Sequence, residues 1–468
     1  MLDQVPEMQL EKLSLSDSFL EVIATDDKLA IADFLNDQNI SDVADLIYGF
    51  EEYEAQIIAN LSIHRAASVF KILDLAEQKR IITELPAAKT AELLNELSAD
   101  DRTDFLEGLP SNVVRELVKL LNPEELKTTL SLFGYPENSV GRLMTPDYVY
   151  VYEHNTVAEA IETIRRFGKD SETVDVIYII NEHGILLDDL RIRDIILATP
   201  NKLISDLMDG RVITLHADDD QELASNAFKM NNRVALPVVS QSDKLLGIVT
   251  IDDILWVAQE EFSEDMQKMG GTQALDEPYL DTPVFKMFRK RVVWLVILFL
   301  GEMITASVMH HFEGAIAKAA VLASFIPLII SSGGNSGSQA STLVIQALAT
   351  GDVVIGDWWR VLKREILSGI LLGAVLGCIG YGRIFLWHTL FPNVYGEHYH
   401  YVGLVVGFTL LFIVLWGSLG GSMFPLLLKK LGADPAVSSA PFVATLVDVT
   451  GLIIYFSVAF FFLKGLLL

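Results

Sequence analysis

Cysteine is almost absent: the 468-residue chain has one, Cys378, which excludes an internal disulfide framework and a thiolate metal cluster. Basic residues are scarce over the first 288 positions, with 24 Lys+Arg against 54 Asp+Glu, a balance of −30. A surface of that sign excludes nucleic acid and anionic lipid as its natural partners. The same stretch lacks an apolar run long enough to cross a bilayer, and its start lacks a basic segment leading into an apolar core, so no signal peptide is expected. Also missing are a Walker loop, a zinc signature and a nucleophile–base pair, and the expectation is a protein that is not an enzyme. What the chain has instead is apolar surface, 51% of residues, concentrated where the acid is not: from residue 289 onward 11 Lys+Arg face 8 Asp+Glu. Acid and oil are segregated, which rules out a single soluble domain.

Five apolar runs are expected to span a membrane: 292–311, 315–348, 361–390, 401–428 and 436–463. Lys286, Arg289, Lys290 and Arg291 precede the first, Arg360, Lys363 and Arg364 the third, and Lys429 and Lys430 the fifth. Alternating spans put these clusters on one side, so the positive-inside rule predicts a cytosolic N-terminal part and a C-terminus outside. Gly369, Gly373, Gly377 and Gly380, and then Gly417, Gly420 and Gly421, have the spacing that lets helix backbones approach closely.

Two membrane segments are too polar for an anchor. In PLIISSGGNSGSQASTL (327–343), three glycines and a run of Ser, Asn, Gln and Thr predict unwound backbone beside a watery cavity, the alternative being a polar helix–helix interface. In PFVATLVDVTGLIIYF (441–456), Asp448 lies deep in the last span, where a carboxylate is costly and reads as a functional site. Ala444 shares its helix face, and Pro441 cannot donate to residue 437 and so releases a carbonyl. Carboxylate and carbonyl oxygens without thiolate or imidazole suit hydrated Mg2+ better than Zn2+ or Cu2+. Glu302, in the middle of the first span, either lines a pathway or pairs with another helix. Glu313 and the histidines at 310, 311, 388, 398 and 400 read as solvated outer-loop residues.

The acidic part is repetitive. Leu61, Leu73, Leu85, Leu97, Leu109 and Leu121 recur every twelve residues, each followed by a good helix-starting residue: Ser62, Asp74, Pro86, Ser98, Pro110 or Asn122. This predicts a right-angled turn-and-helix solenoid, one short helix per repeat. From 140 to 258 a β-rich pattern appears twice, starting at Met144 and at Met208, and resembles the tandem β-α-β-β-α module of cystathionine-β-synthase (CBS) domains. The second copy ends in GIVTIDD (247–253), whose Thr250-x-x-Asp253 spacing suits a phosphate-side hydroxyl and a ribose-binding carboxylate; the first substitutes Asp188 and Arg191 but retains Asp194. Beyond it, Glu260, Glu261, Glu264 and Asp265 share a helix face near Asp252 and Asp253, an acidic surface that repels itself until cations bridge it.

With these motifs in hand, the sequence resembles the MgtE family of magnesium channels over nearly its whole length. The resemblance rests on the leucine solenoid, FGYPENSVGRLMT (133–145), the CBS pair, IPLIISSGGNSGSQASTLVIQALATGD (326–352) and ADPAVSSAPFVATLVDVTGLIIYFSVA (433–459). It implies a multidomain fold: a helical solenoid over 1–135, CBS modules over 136–200 and 201–258, a connecting helix over 259–285, and an all-α five-helix pore domain over 286–468. It implies a plasma-membrane homodimer in lipid, with Mg2+ as cargo and effector. By position Asp448, Ala444, Asn335 and Glu313 match pore residues. Glu261, Glu264 and Asp265 match cation-sensing acids, with Asp252 and Asp253 as partners, and Arg193 and Asp194 match an ATP site in some relatives. The pattern departs at Ala440, where a polar residue is expected before Pro441, and at Val176, where an aromatic would stack on adenine.

Overall fold

The computed structural model describes residues 7–275, 279–280, 282–318, 320–392, 394–395 and 397–465, with side chains from residue 14 onward. These residues form two compact units, the first closing at Glu260 and the second opening at Glu261.

The first unit begins with short helices: α1 (Glu7–Ile23), α2 (Lys28–Asp37), α3 (Ile40–Gly49), α4 (Glu54–Asn60), α5 (Ile63–Lys71), α6 (Leu75–Glu84), α7 (Ala87–Glu96), α8 (Ala99–Glu107), α9 (Ser111–Leu117) and α10 (Pro123–Leu132). The twelve-residue repeat yields one helix per period, because each repeat leucine ends a helix and turns inward: Leu61, Leu73, Leu85, Leu97 and Leu121 are buried in one continuous core. The predicted starters occupy the N-cap positions, but Ser62, Asp74, Ser98 and Asn122 make no side-chain cap bond there. The repeats are tied over longer distances instead. Asn95 donates to the Leu120 carbonyl at 3.0 Å and accepts from the Asn122 amide at 2.7 Å. Arg102, fully buried, donates to Thr129 at 2.9 Å and to the carbonyls of Leu94 and Leu97.

After α11 (Val140–Leu143) come two three-stranded sheets, each a parallel pair extended by an antiparallel hairpin. The first holds β1 (Tyr148–Tyr152), β2 (Thr173–Ile180) and β3 (Leu186–Arg191) with α12 (Val157–Phe167) and α13 (Ile192–Leu197). The second holds β4 (Leu215–His216), β5 (Ala235–Val239) and β6 (Leu245–Thr250) with α14 (Gln221–Asn231) and α15 (Ile251–Met269). Val176, Tyr178 and Ile180 of one sheet pack against Val239, Leu245 and Ile248 of the other. Gly247 is fixed by space: a Cβ there would lie 2.7 Å from the Thr145 carbonyl oxygen, which accepts from the Ile248 amide. Asp188, at the matching place in the first copy, is buried and accepts from the amides of Asp189, Asp209 and Gly210, a structural tie rather than a ligand position.

Of the connecting helix expected over 259–285, residues 276–278 and 281 lie outside the described residues. Helix α15 starts at Ile251, inside the second CBS module, and stops at Met269, where Gly271 adopts φ +76°.

The second unit contains α16 (Val284–His311), α17 (Glu313–Lys318), α18 (Ala320–Ala323), α19 (Ile326–Ala349), α20 (Trp358–Leu390), α21 (Tyr399–Lys430) and α22 (Ala440–Leu463). Among the described residues, five stretches are long and apolar enough to cross a membrane: 284–311, 320–349, 355–390, 399–430 and 440–463. Helix α21 is central, with 56% of its apolar window buried in the chain, and α16 is peripheral, with 6%.

Candidate functional site

The unwinding expected at 327–343 does not occur: α19 runs unbroken through Gly333, Gly334 and Gly337. The glycines are there for contact. A Cβ on Gly417 would lie 2.4 Å from the Gly333 carbonyl oxygen, and one on Gly421 would lie 2.1 Å from that of Gly337, so only glycine lets α21 meet α19. The serines then bond across helices. Ser336 and Ser418 share a hydrogen bond of 2.8 Å, Ser338 donates to the Ala440 carbonyl at 3.1 Å, and Ser341 donates to the Ser438 carbonyl at 2.8 Å. The polar helix–helix interface, the alternative reading of this segment, is the one observed. One face stays open: Ser331, Asn335 and Gln339 are exposed at helical spacing, with Asn335 donating to Ser331 at 3.5 Å.

Pro441 likewise does not break a span. It sits in the first turn of α22, where its missing N–H costs nothing, after a 3₁₀ turn at Pro435–Val437; the span opens at 440 rather than 436. Ser439 caps it, accepting from the Phe442 amide at 3.4 Å and from the Trp294 indole at 3.2 Å. Further along, Ala444 packs on Gly334, and the Asp448 carboxyl lies beside that of Glu302 of α16. Glu302, which the sequence leaves between lining a pathway and pairing with another helix, is thus a neighbour of α22. Thr445 donates to the Pro441 carbonyl at 3.1 Å. Glu313 is not part of this group: it opens α17, is largely exposed, and pairs with His310 at 3.1 Å.

On α15, Glu264 lies 2.5 Å from Lys268, which also reaches Asp434 at 2.7 Å. Asp434 in turn caps the 3₁₀ turn before α22, accepting from the Ala436 amide at 2.8 Å. A hydrogen-bonded chain thus links the end of the connecting helix to the start of the Asp448 helix. Glu261 and Asp265 lie on the same helix.

In the first unit, Asp253 meets two acids that the sequence did not single out. One carboxylate oxygen each from Asp100, Asp101 and Asp253 lies within 4.8 Å of the others. Asp100 and Asp101 open α8, where acids are expected on helix-dipole grounds alone, so nothing local marked them. Asp100 is buried, and its Oδ1 has no hydrogen-bond partner. Burial, with the carboxylates of Asp253, Asp101 and Glu172, pushes its carboxyl well above the usual range. Burial likewise pushes Asp253 up to about 7, against the lowering bond from Thr250 at 2.5 Å. Asp104, one turn on, is raised by burial and by Glu260 to about 6. Asp252 is half-exposed and held below the usual range: burial opposes its charge, but Thr250 and Lys71 outweigh it. An all-oxygen donor set with an orphaned, buried carboxylate oxygen fits a hard divalent cation.

Thr250 donates to Asp253 and is not among the residues that line the cavity between the CBS modules. That cavity, about 660 Å³, is lined by Arg191, Arg193, Lys229 and Arg233, with Asp175, Val176 and Phe228. Arg193 was singled out by the sequence, and Asp194 lies beside it at 3.6 Å. Arg233 was missed: it comes from the second copy and pairs with Asp189 of the first at 2.7 Å.

Comparison with known proteins decides the family. A family model described as a divalent cation transporter matches residues 326–458, the MgtE intracellular N domain matches 38–138, and CBS domains match 140–200 and 204–260. A magnesium transporter MgtE of Thermus thermophilus is 37% identical over 406 residues, covering 81% of this chain and 88% of that protein. The chain belongs to the MgtE family of divalent cation transporters. A magnesium transporter MgtE of Bacillus subtilis is 30% identical over 416 residues, covering 89% and 90%. A crystal structure of the cytosolic domain of the Mg2+ channel MgtE in complex with ATP matches 52% of this chain and 99% of that one, at 33% identity and a TM-score of 0.50. The MgtE assignment accounts for the order of solenoid, CBS pair and five spans within one chain.

Proposed function

We propose that this protein carries Mg2+ passively into the cell through a homodimeric pore in the plasma membrane, and that cytosolic Mg2+ closes it. The observation that carries the reading is Asp448, a carboxylate deep in an apolar span whose start is braced by serines from the neighbouring helix. Two copies of Asp448, with the Ala444 backbone and Asn335, attract a hydrated Mg2+ through its waters, because this ion sheds them reluctantly. Glu313 stands at the outer mouth. The basic clusters flanking the spans orient the solenoid and CBS modules to the cytosol and the C-terminus outward.

Closure uses the acids. Asp100, Asp101 and Asp253, beside Asp252, gather one ion, and Glu261, Glu264 and Asp265 gather others, relieving the repulsion within each acidic group. The Lys268–Asp434 link transmits the position of α15 to the Asp448 helix. Uptake of Mg2+ into liposomes by the purified protein tests the pore: flux in wild type and none in Asp448→Ala is expected, and undiminished flux in that variant sinks the assignment. A reversal potential tracking only the Mg2+ gradient distinguishes a channel from an exchanger coupled to Na+ or H+.

A second reading rests on the basic cavity. Four cationic side chains around about 660 Å³ suit the phosphates of ATP, with Val176 leaving the adenine without an aromatic platform from that strand. Loss of ATP binding in Arg193→Ala, followed by a fluorescent analogue, is the expected result.

A further inference from the structure

The acidic centre of the first unit already holds a cation of its own. Lys71, the last residue of α5, extends its ammonium to 3.6 Å from Asp101 Oδ2 on α8 and to 3.5 Å from Asp252 Oδ2 on α15. The Lys71 and Asp101 side chains are 30% and 19% exposed, so that pair is not a loose surface contact. Asp101 is shared: its carboxylate also contributes to the Asp100–Asp101–Asp253 group, and its Oδ2 accepts from Ser98 at 2.6 Å. One ammonium does not neutralise the centre, because Asp100 Oδ1 remains buried and unpartnered.

We propose that Lys71 is a tethered counter-ion that shares Asp101 with an incoming hydrated divalent cation, lowering the affinity of the regulatory site. A charge fixed beside the ion opposes its binding in every encounter, whereas free monovalent ions are simply displaced. The ammonium also gives the solenoid and the second CBS module one favourable contact before any divalent ion arrives. The inference rests on the reading of Asp100, Asp101 and Asp253 as a cation site, and its test separates the two.

The experiment measures Mn2+ binding, as a hard divalent probe, by loss of the free-ion EPR signal. It uses the full chain carrying Asp448→Ala, so that the pore carboxylate does not contribute. Asp100→Asn is expected to remove one class of sites. Lys71→Met, which retains the apolar stem, is expected to tighten that class about three- to tenfold, the scale of one unit charge near a divalent ion in a partly solvated setting. Lys71→Arg, which retains the charge, is expected to stay within about twofold of the parent. Unchanged or weaker binding in Lys71→Met overturns the counter-ion role while leaving the site intact. If Asp100→Asn removes no class, the site reading fails, and the role of Lys71 fails with it.

Discussion

The acidic part of the chain and its apolar part hold carboxylates in opposite ways. Up to residue 288 the chain carries 54 Asp+Glu, and single acids there mean little; a site arises only where Asp100 and Asp101 of the solenoid converge with Asp253 of the second CBS module. Beyond it the chain carries 8 Asp+Glu, and Asp448, with Glu302 beside it, stands out because a carboxylate inside an apolar span is costly. In the acidic part meaning comes from convergence, and in the apolar part from cost.

The contrast can be broken most sharply at its two ends. Asp448→Asn should lower Mg2+ flux into liposomes tenfold or more, whereas Asp100→Asn should leave flux unchanged when internal Mg2+ is chelated and raise the Mg2+ needed for closure. Equal loss of flux in both variants would make the two acids parts of one machine. Next in size is packing. Gly417→Ala forces a Cβ against the Gly333 carbonyl, and should destabilise the second unit by about 1–3 kcal/mol in detergent melts. It should leave Mn2+ binding at Asp100 unaltered.

A smaller effect follows pH. Asp100, Asp104 and Asp253 have folded-state pKa values above their unfolded ones, so the folded unit binds more protons than the unfolded chain between about pH 4 and pH 7. Stability without divalent ions should therefore rise as pH falls from 7 towards 5, measured by melting in EDTA. The extra stability given by Mg2+ should shrink over the same window, since protons and the ion compete for the same oxygens. A melting temperature in EDTA that falls on acidification would contradict the burial of these acids. The smallest effect belongs to Glu313→Gln: its carboxylate is largely solvated, so flux at saturating Mg2+ should change by less than about twofold.

The fold was largely legible because its signals are periodic. A leucine every twelve residues required one helix per repeat, and the two β-rich copies required two matching modules. Misreadings came where one residue type serves two purposes. The glycines at 333, 334 and 337 looked like helix breakers, but they pack two intact helices together, and the serines that suggested a watery cavity bond to neighbouring carbonyls.

By itself the sequence determined the five spans, the solenoid repeat, the CBS pair and the isolation of Asp448, since each is set by local periodicity or by the cost of one residue in its surroundings. Only the tertiary structure brought Asp101 to Asp253, Glu302 to Asp448 and Lys268 to Asp434. Like charges repel and polar groups have many alternative partners, so nothing along the chain announces which of them packing will hold together.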